Sequence, residues 1–90
     1  MTALRPERYI SMSVYSNFDH ELDDDVVGEL EKGGCHAAHA AWNFNGSVWF
    51  DPEDGQWYEE VWVHGSPVEQ FHGATIMDVI QRANIDYGMG

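Results

Sequence analysis

The sequence predicts a single small α+β domain over residues 1–90, in which an antiparallel meander of four or five strands carries two helices on one face. Three observations favour this fold class. The length of 90 residues suits one domain. Short aromatic runs separated by Gly, Asn and Asp turns fill the middle of the chain, and a segment with helical spacing lies on each side of them. We expect residues 1–7, which precede the first element, to form a flexible N-terminus.

The first two elements are a strand and a helix. Residues 8–16 alternate between apolar and polar side chains, which is typical of a half-buried strand. In residues 19–32, leucine or valine recurs every four positions, which predicts a helix. We expect Asp19 to cap the start of this helix and Gly33-Gly34 to end it in a left-handed conformation.

Residues 35–44 are ambiguous between helix and strand. Four alanines favour a helix, whereas alternate positions of the same segment also share one strand face. The following Asn45-Gly46 is a strong hairpin signal and favours the strand interpretation. Gly46 is equally compatible with a bulge inside one long bent strand.

Three further strands and their turns follow in the sequence. Residues 47–50 form a short aromatic run, and residues 51–55 are turn-forming throughout. Residues 57–64 are the most strand-like stretch of the chain. Gly65-Ser66 then turns the chain into residues 67–71, where Pro67 is compatible only with a strand start or an edge strand.

The last predicted element is a helix from Thr75 to Tyr87. Thr75 and Asp78 have the spacing of a capping box. Apolar residues of this segment recur on one helical face, and Gly88 is expected to end the helix.

The second half of the chain carries a resemblance to a known group of proteins. Residues 43–71 read NFNGSVWFDPEDGQWYEEVWVHGSPVEQF, and TIMDVIQRANIDYG follows three residues later. This pattern resembles small accessory proteins encoded by mycobacteriophages and related actinobacterial phages. Those proteins share an Asn-Phe-x-Gly-x-Val-Trp segment, an acidic turn ending in Asp-Gly, a Glu-x-Val-Trp strand and a C-terminal helix ending Asn-x-x-Tyr-Gly. The resemblance implies a phage accessory protein acting in a bacterial cytoplasm, and it carries over no catalytic residue.

Negative charge is the most unusual property of the sequence. Sixteen Asp and Glu stand against four Lys and Arg, giving a net charge of −12. This charge argues against direct binding of nucleic acid or of anionic membranes, both of which require basic residues. Twelve of the sixteen acids fall in two runs, residues 19–31 and 51–60, and such runs are expected to steer a protein toward basic surfaces. The predicted acidic contacts with a partner are Asp23, Asp24, Asp25, Glu29, Asp51, Glu53, Asp54 and Glu60.

Aromatic side chains provide a second predicted contact surface. Strand alternation places Tyr58 and Trp62 on the face opposite Trp57. Since the helices cover one face, we expect the other face to expose an aromatic patch, and Trp and Tyr contribute much of the binding energy at protein interfaces. The predicted aromatic contacts are Trp49, Tyr58 and Trp62.

Metal binding and catalysis are not favoured by the sequence. A structural zinc site needs four ligands, and on a strand His36 and His39 would face opposite sides. Cys35 has histidines nearby, but adjacency in sequence does not supply the geometry of a Cys-His catalytic pair. We therefore expect no metal, no cofactor and no enzymatic activity. The single cysteine makes no internal disulfide, and neither a signal peptide nor a membrane span is visible, which together predict a cytoplasmic protein.

The sequence thus predicts a non-enzymatic protein that binds a host protein through its aromatic sheet face and acidic surface. The alternative is a DNA mimic, whose carboxylates would occupy the nucleic-acid site of a DNA-binding host protein. A homodimer formed through an edge strand or the aromatic face also stays open.

Overall fold

Five strands lie side by side in chain order and form one sheet: β1 (Arg8–Ser13), β2 (Cys35–Ala40), β3 (Asn45–Asp51), β4 (Gln56–Val63) and β5 (Ser66–Gly73). The computed structural model describes residues 4–14, 22–40 and 44–88, with the backbone alone at 11–13 and 40. The predicted α+β class is confirmed. The sheet is mixed, however, because β1 is parallel to β2 while the other pairs are antiparallel.

The parallel pair corrects the prediction of a purely antiparallel meander. Helix α1 (Asp24–Glu31) lies between β1 and β2 in the chain. A helical crossover of this kind returns the chain to the sheet in its original direction, whereas a short hairpin would reverse it. The strand β1 is also shorter than the predicted 8–16, since it ends at Ser13.

Helix α1 begins later than the sequence predicted. Its N-cap is Asp23, whose side chain accepts hydrogen bonds from the backbone N–H of Asp25 at 3.0 Å and of Val26 at 3.3 Å. The Asp23 N–H itself donates to the Val14 carbonyl at 2.6 Å, which keeps residue 23 extended and sets the start of the helix. Asp19, the predicted cap, lies outside the described residues.

The predicted left-handed end of α1 is confirmed. Gly33 and Gly34 both have φ of +81°, a conformation that is costly for residues with a Cβ. A Cβ on Gly33 would lie 2.6 Å from Cγ of Pro52. The end of α1 therefore touches the turn between β3 and β4.

Residues 35–40 are a strand, so the strand interpretation holds for this part of the ambiguous segment 35–44, of which residues 41–43 lie outside the described residues. Asn45 and Gly46 pair with Ala40 and His39 at the start of β3. The chain therefore reverses between Ala40 and Asn45, and the predicted hairpin turn at Asn45-Gly46 is wrong. An Asn-Gly pair favours a tight turn locally, but here the sheet uses Gly46 for close packing, as described below.

The remaining turns and the last helix follow the sequence closely. Residues 52–55 form the predicted acidic turn, whereas the next turn lies at His64 and Gly65, one residue earlier than predicted. Helix α2 (Ile76–Ala83) begins with the predicted capping box between Thr75 and Asp78. One π-helical turn, Asn84–Gly88, extends it.

Both helices pack on the same sheet face and enclose one hydrophobic core. Its buried members come from the helices, from the strands β2 to β5 and from two flanking residues: Val14, Val26, Leu30, Cys35, Ala37, Phe44, Val48, Trp57, Val61, Phe71, Ile76, Val79, Ile80 and Ala83. Neither helix, within the ranges that the structure describes, is long and apolar enough to cross a membrane.

Candidate functional site

The sheet face opposite the helices carries the aromatic residues that the sequence singled out. Strand register places Trp49 beside Tyr58 and Ser47 beside Glu60 on this face, while Trp57 lies in the core behind it. We call this side of the sheet the outer face and define it by Ser47, Trp49, Tyr58, Glu60, Trp62 and Gln70. The predicted placement of Tyr58 and Trp62 opposite Trp57 is confirmed.

Exposure differs among the three predicted aromatic contacts. Trp49 is only 2% exposed, so it offers almost no surface to a partner, unlike the exposed patch that the sequence predicted. Its ring stacks on Tyr58 with 5.7 Å between ring centres and 12° between ring planes. Tyr58 and Trp62 are half-buried and keep part of their surface accessible.

Tyr58 is held in place by the acidic turn. Its hydroxyl donates to the Asp54 carboxylate, and this hydrogen bond is the main cause that raises the pKa of Tyr58 to about 12. The side-chain rings of Tyr58 and His72 lie 6.1 Å apart at the same end of the sheet. The aromatic and acidic predictions therefore meet at this end of the outer face.

Arg5 lies across the other end of the outer face. Its guanidinium donates to Ser47 Oγ at 3.0 Å, and the guanidinium carbon is 4.7 Å from the centre of the Trp62 ring. Its Nε is 4.0 Å from Glu60 Oε1. Sequence reasoning missed Arg5 because the residues that it contacts are about forty or more positions away in the sequence. No local sequence pattern indicates such contacts.

The backbone next to Arg5 is attached to the sheet as well. His36 Nδ1 lies 2.7 Å from the Pro6 carbonyl oxygen, and burial is the main cause that lowers the pKa of His36. Residues 1–7 were predicted to be flexible, but Arg5 and Pro6 have defined contacts on the outer face. Residues 1–3 lie outside the described part of the chain.

Glu60 holds this end of the outer face together. It accepts hydrogen bonds from Trp62 Nε1 at 2.8 Å and from Gln70 Nε2 at 3.2 Å. The Glu60 side chain is 16% exposed. Glu60 thus positions the Trp62 ring against Arg5 and is less available to a partner than the sequence suggested.

A cavity opens beside the Arg5 site. Its volume is about 330 Å³. Leu4 and Arg5 line one side, residues 67–70 at the start of β5 line another, and Glu60 completes the wall. Leu4 is 91% and Val68 51% exposed, so the cavity has apolar edges beside three charged groups, Arg5, Glu60 and Glu69.

The end of the first acidic run meets the start of the second at the opposite end of the molecule. The contact between Gly33 and Pro52 brings the last turn of α1 against the β3–β4 turn. We call the carboxylates of these two segments the acidic end and define it by Glu29, Glu31, Asp51, Glu53 and Asp54. Glu29 pairs with Lys32 at 2.9 Å, and this hydrogen bond is the main cause that lowers the pKa of Glu29.

Several predicted acidic contacts have structural roles. Asp23 caps α1, as described above. Asp51 accepts from the Glu53 N–H at 2.9 Å, and Asp54 accepts from the Gln56 N–H at 2.9 Å. Among the other predicted residues, the exposed ones are Asp24, Asp25, Glu29 and Glu53.

The core face contains a buried carboxylate–histidine pair that the sequence analysis did not single out. His39 is 1% and Glu59 0% exposed, and His39 Nδ1 lies 2.9 Å and 3.1 Å from the two Glu59 carboxylate oxygens. Burial raises the pKa of Glu59, and the hydrogen bond with His39 opposes this effect. Strand alternation could have found Glu59, because it shares the face of Trp57 and Val61.

Gly46 makes room for this pair. A Cβ at residue 46 would lie 2.5 Å from Glu59 Oε1 and 3.1 Å from His39 Nδ1. Because both members are buried, the pair links β2 to β4 inside the core and is not part of the outer face.

The candidate metal ligands of the sequence are separated. His36 lies on the outer face and His39 on the core face, as a strand requires, while the buried Cys35 Sγ donates to the Glu29 carbonyl at 3.7 Å. Among residues 4–14, 22–40 and 44–88, no group of three or more His, Cys, Asp or Glu could hold a metal ion.

Comparison with known proteins does not assign the chain to a family. No protein-family model matches the sequence, and no curated protein and no solved structure matches it either. The outer face and the acidic end are therefore interpreted from their own chemistry.

Proposed function

We propose that this protein binds a basic surface of another protein, with the outer face as the contact surface and the acidic end as the attracting charge. The observation that carries this proposal is the contact between the end of α1 and the β3–β4 turn, which brings the last two acids of the first run near the first three of the second, about twenty residues along the chain. Concentrating carboxylates at one end makes a directed negative field rather than a diffuse one. The resemblance to actinobacterial phage proteins suggests that the partner is a host protein in a bacterial cytoplasm.

The few basic residues leave this field largely uncompensated. Lys32 pairs with Glu29, Arg82 lies 3.9 Å from Asp86, and Arg5 lies beside Glu60. Arg8 is close enough to Glu29 to contribute to the lowering of its pKa. Arg5, Lys32 and Arg82 each lie beside a carboxylate, and with four bases against sixteen acids the net charge remains −12. A partner of complementary charge would associate quickly and lose association rate at high salt.

Tyr58 and Trp62 supply the contact surface in this proposal. Both are half-buried and held in position by hydrogen bonds to Asp54 and Glu60. Aromatic side chains that are fixed before binding lose little conformational entropy on association. Trp and Tyr are also enriched among the residues that dominate interface energies.

A pull-down with a charge-matched control tests the role of the acidic end. The tagged protein captures partners from bacterial lysate at ~0.1 M salt. Each captured protein is identified by mass spectrometry and purified, and the Kd of its complex with each variant is then measured. The variant Glu31→Gln/Glu53→Gln removes two exposed charges from the acidic end, and Glu7→Gln/Asp86→Asn removes two exposed charges elsewhere. We expect the first variant to weaken binding about tenfold more than the second, since charge pairs at interfaces couple by about 1.5 kcal/mol or more. Equal losses in both variants would contradict a role for the acidic end.

A second comparison tests the outer face. Trp62→Leu removes the half-buried indole, and Met77→Ala removes a partly exposed apolar side chain from α2, on the helical side of the domain. We expect Trp62→Leu to raise the Kd for the partner by about tenfold or more, as truncation of interface hot spots does, and Met77→Ala to leave it unchanged. If Met77→Ala is equally harmful, the contact surface is not the outer face.

The same capture distinguishes the DNA-mimic alternative. A mimic occupies a nucleic-acid site, so an added DNA duplex would displace the captured partner, and a wash at ~0.5 M salt would release it. A partner that resists both treatments would favour the aromatic contact.

A further inference from the structure

We infer that the outer face contains an arginine-binding site, formed by Trp62, Glu60 and Ser47, which Arg5 fills in the free protein and which an arginine of the basic partner fills in the complex. This inference rests on the proposed function and names the chemical group that the outer face would recognise. It makes the N-terminal segment a competitor of the partner.

The contacts of Arg5 define the chemistry of the site. The Trp62 ring provides a flat surface for the planar guanidinium at 4.7 Å, Ser47 Oγ accepts a hydrogen bond at 3.0 Å, and the Glu60 carboxylate provides opposite charge. Such a combination is selective for arginine, because the ammonium of lysine is compact and does not stack.

The site is fixed by residues other than Arg5. Trp62 Nε1 donates to Glu60 at 2.8 Å, and Gln70 Nε2 donates to the other Glu60 oxygen at 3.2 Å. Ser47 is 8% exposed and belongs to β3, in the middle of the sheet. The three groups should therefore keep their positions when Arg5 leaves.

Arg5 itself is held less firmly than the site. Its side chain is 33% exposed, and its Nε is 4.0 Å from Glu60, at the outer limit of an ion pair. Exposed ion pairs contribute little to stability. A partner's arginine can make the same contacts, so exchange of the two guanidinium groups costs little.

The neighbouring cavity provides room for the residues that would flank a partner's arginine. Its volume of about 330 Å³ adjoins Arg5 and Glu60 and is bordered by the exposed apolar side chains of Leu4 and Val68. The net charge of −12 disfavours a second copy of this chain as the occupant and favours a basic segment.

The test measures binding of a small arginine probe to full-length variants. The probe is the acetylated and amidated tripeptide Leu-Arg-Pro, which copies residues 4–6, with the citrulline peptide as its uncharged control. Arg5→Ala empties the site, and Arg8→Ala removes the same charge three residues away in β1. Binding is followed in every variant by isothermal titration calorimetry and, in the variants that keep Trp62, also by the NMR shift of its indole N–H.

We expect Arg5→Ala to bind the arginine peptide about tenfold or more tightly than either the wild type or Arg8→Ala does. If Arg5 fills the site for about nine-tenths of the time, the apparent affinity of the site for the added peptide falls about tenfold. The citrulline peptide should not shift the Trp62 signal, and adding Trp62→Leu to Arg5→Ala should abolish binding. Arg5→Gln serves as a second variant if Arg5→Ala loses its dispersed amide spectrum.

Equal affinities of Arg5→Ala and Arg8→Ala, or equal binding of the citrulline peptide, would overturn the inference. The proposed function could survive that result, because the Glu31→Gln/Glu53→Gln comparison depends on the acidic end and not on Arg5. Conversely, if the arginine peptide binds as expected but no partner distinguishes the two charge variants, the arginine site stands and the role of the acidic end fails.

Discussion

Removing His39 should destabilise the fold strongly and in a pH-dependent way. The Glu59 carboxyl is 0% exposed, and in His39→Ala it loses the His39 Nδ1, which lies 2.9 Å and 3.1 Å from its two oxygens. Breaking a buried pair by removing one partner costs about 3 to 5 kcal/mol, because the remaining charge is uncompensated. A domain of 90 residues has a total stability of roughly 5 to 13 kcal/mol. The variant should therefore lose a large fraction of its stability at neutral pH.

The pH dependence follows from the raised pKa of Glu59. Burial raises it in the folded state, and loss of the opposing His39 hydrogen bond should raise it further. A group whose folded pKa lies above its unfolded value stabilises the fold below the unfolded pKa, and this contribution is lost as the pH rises through the folded pKa. For one proton the slope is at most about 1.4 kcal/mol per pH unit. His39→Ala should thus be less stable at pH 7 than at pH 5 by up to about 3 kcal/mol.

Urea unfolding followed by tryptophan fluorescence at the two pH values measures this effect. His39→Ala/Glu59→Gln provides the control, because the amide has no proton to lose and should remove the pH-dependent part of the penalty. If His39→Ala costs less than about 1 kcal/mol at pH 7, or costs the same at both pH values, the argument from a buried uncompensated carboxylate is refuted.

Three further predictions follow from single contacts. Gly33→Ala should destabilise the protein more than Gly34→Ala in urea unfolding, since both have φ of +81° but only a Cβ at residue 33 meets Pro52, at 2.6 Å; equal losses would contradict the close contact. Gly46→Ala should cost about 1 to 3 kcal/mol, because its Cβ would overlap Glu59 Oε1 at 2.5 Å in a packed core, and a neutral effect would mean that the carboxylate can move away. Asp54→Asn should lower the pKa of Tyr58 from about 12 in an ultraviolet pH titration, because the hydrogen bond to Asp54 is the main cause of its elevation; an unchanged titration would assign the shift to another cause.

The sequence predicted those elements whose signals are local. The capping box of α2, the glycine end of α1 and the turn at 52–55 depend on residues close in sequence, and the structure contains all three. The direction of β1 could not be predicted in the same way. Alternation shows that a segment is a strand, but it carries no information about which neighbour it pairs with or in which direction.

The hairpin error at Asn45-Gly46 has a physical reason in the core. The pair has the composition of a tight turn, yet Gly46 is needed where a side chain would overlap the buried carboxylate of Glu59. A glycine required by packing and a glycine required by a turn look identical in a single sequence. The two uses separate only when the cross-strand partners His39 and Glu59 are known.

The structural roles of the predicted acids change how their function should be tested. Replacing Asp23, Asp24 and Asp25 together with alanine would remove three charges and also the cap of α1, which is worth about 1 kcal/mol. A loss of partner binding in that variant could then come either from the missing charges or from a less stable helix. Asp54 and Glu60 carry the same difficulty, because they hold Tyr58 and Trp62. Glu31 and Glu53 are exposed at the acidic end, and Glu31 lies in the last turn of α1, where removing a negative charge favours the helix dipole. A loss of binding in Glu31→Gln/Glu53→Gln would therefore report on attraction between charges and not on a weakened fold.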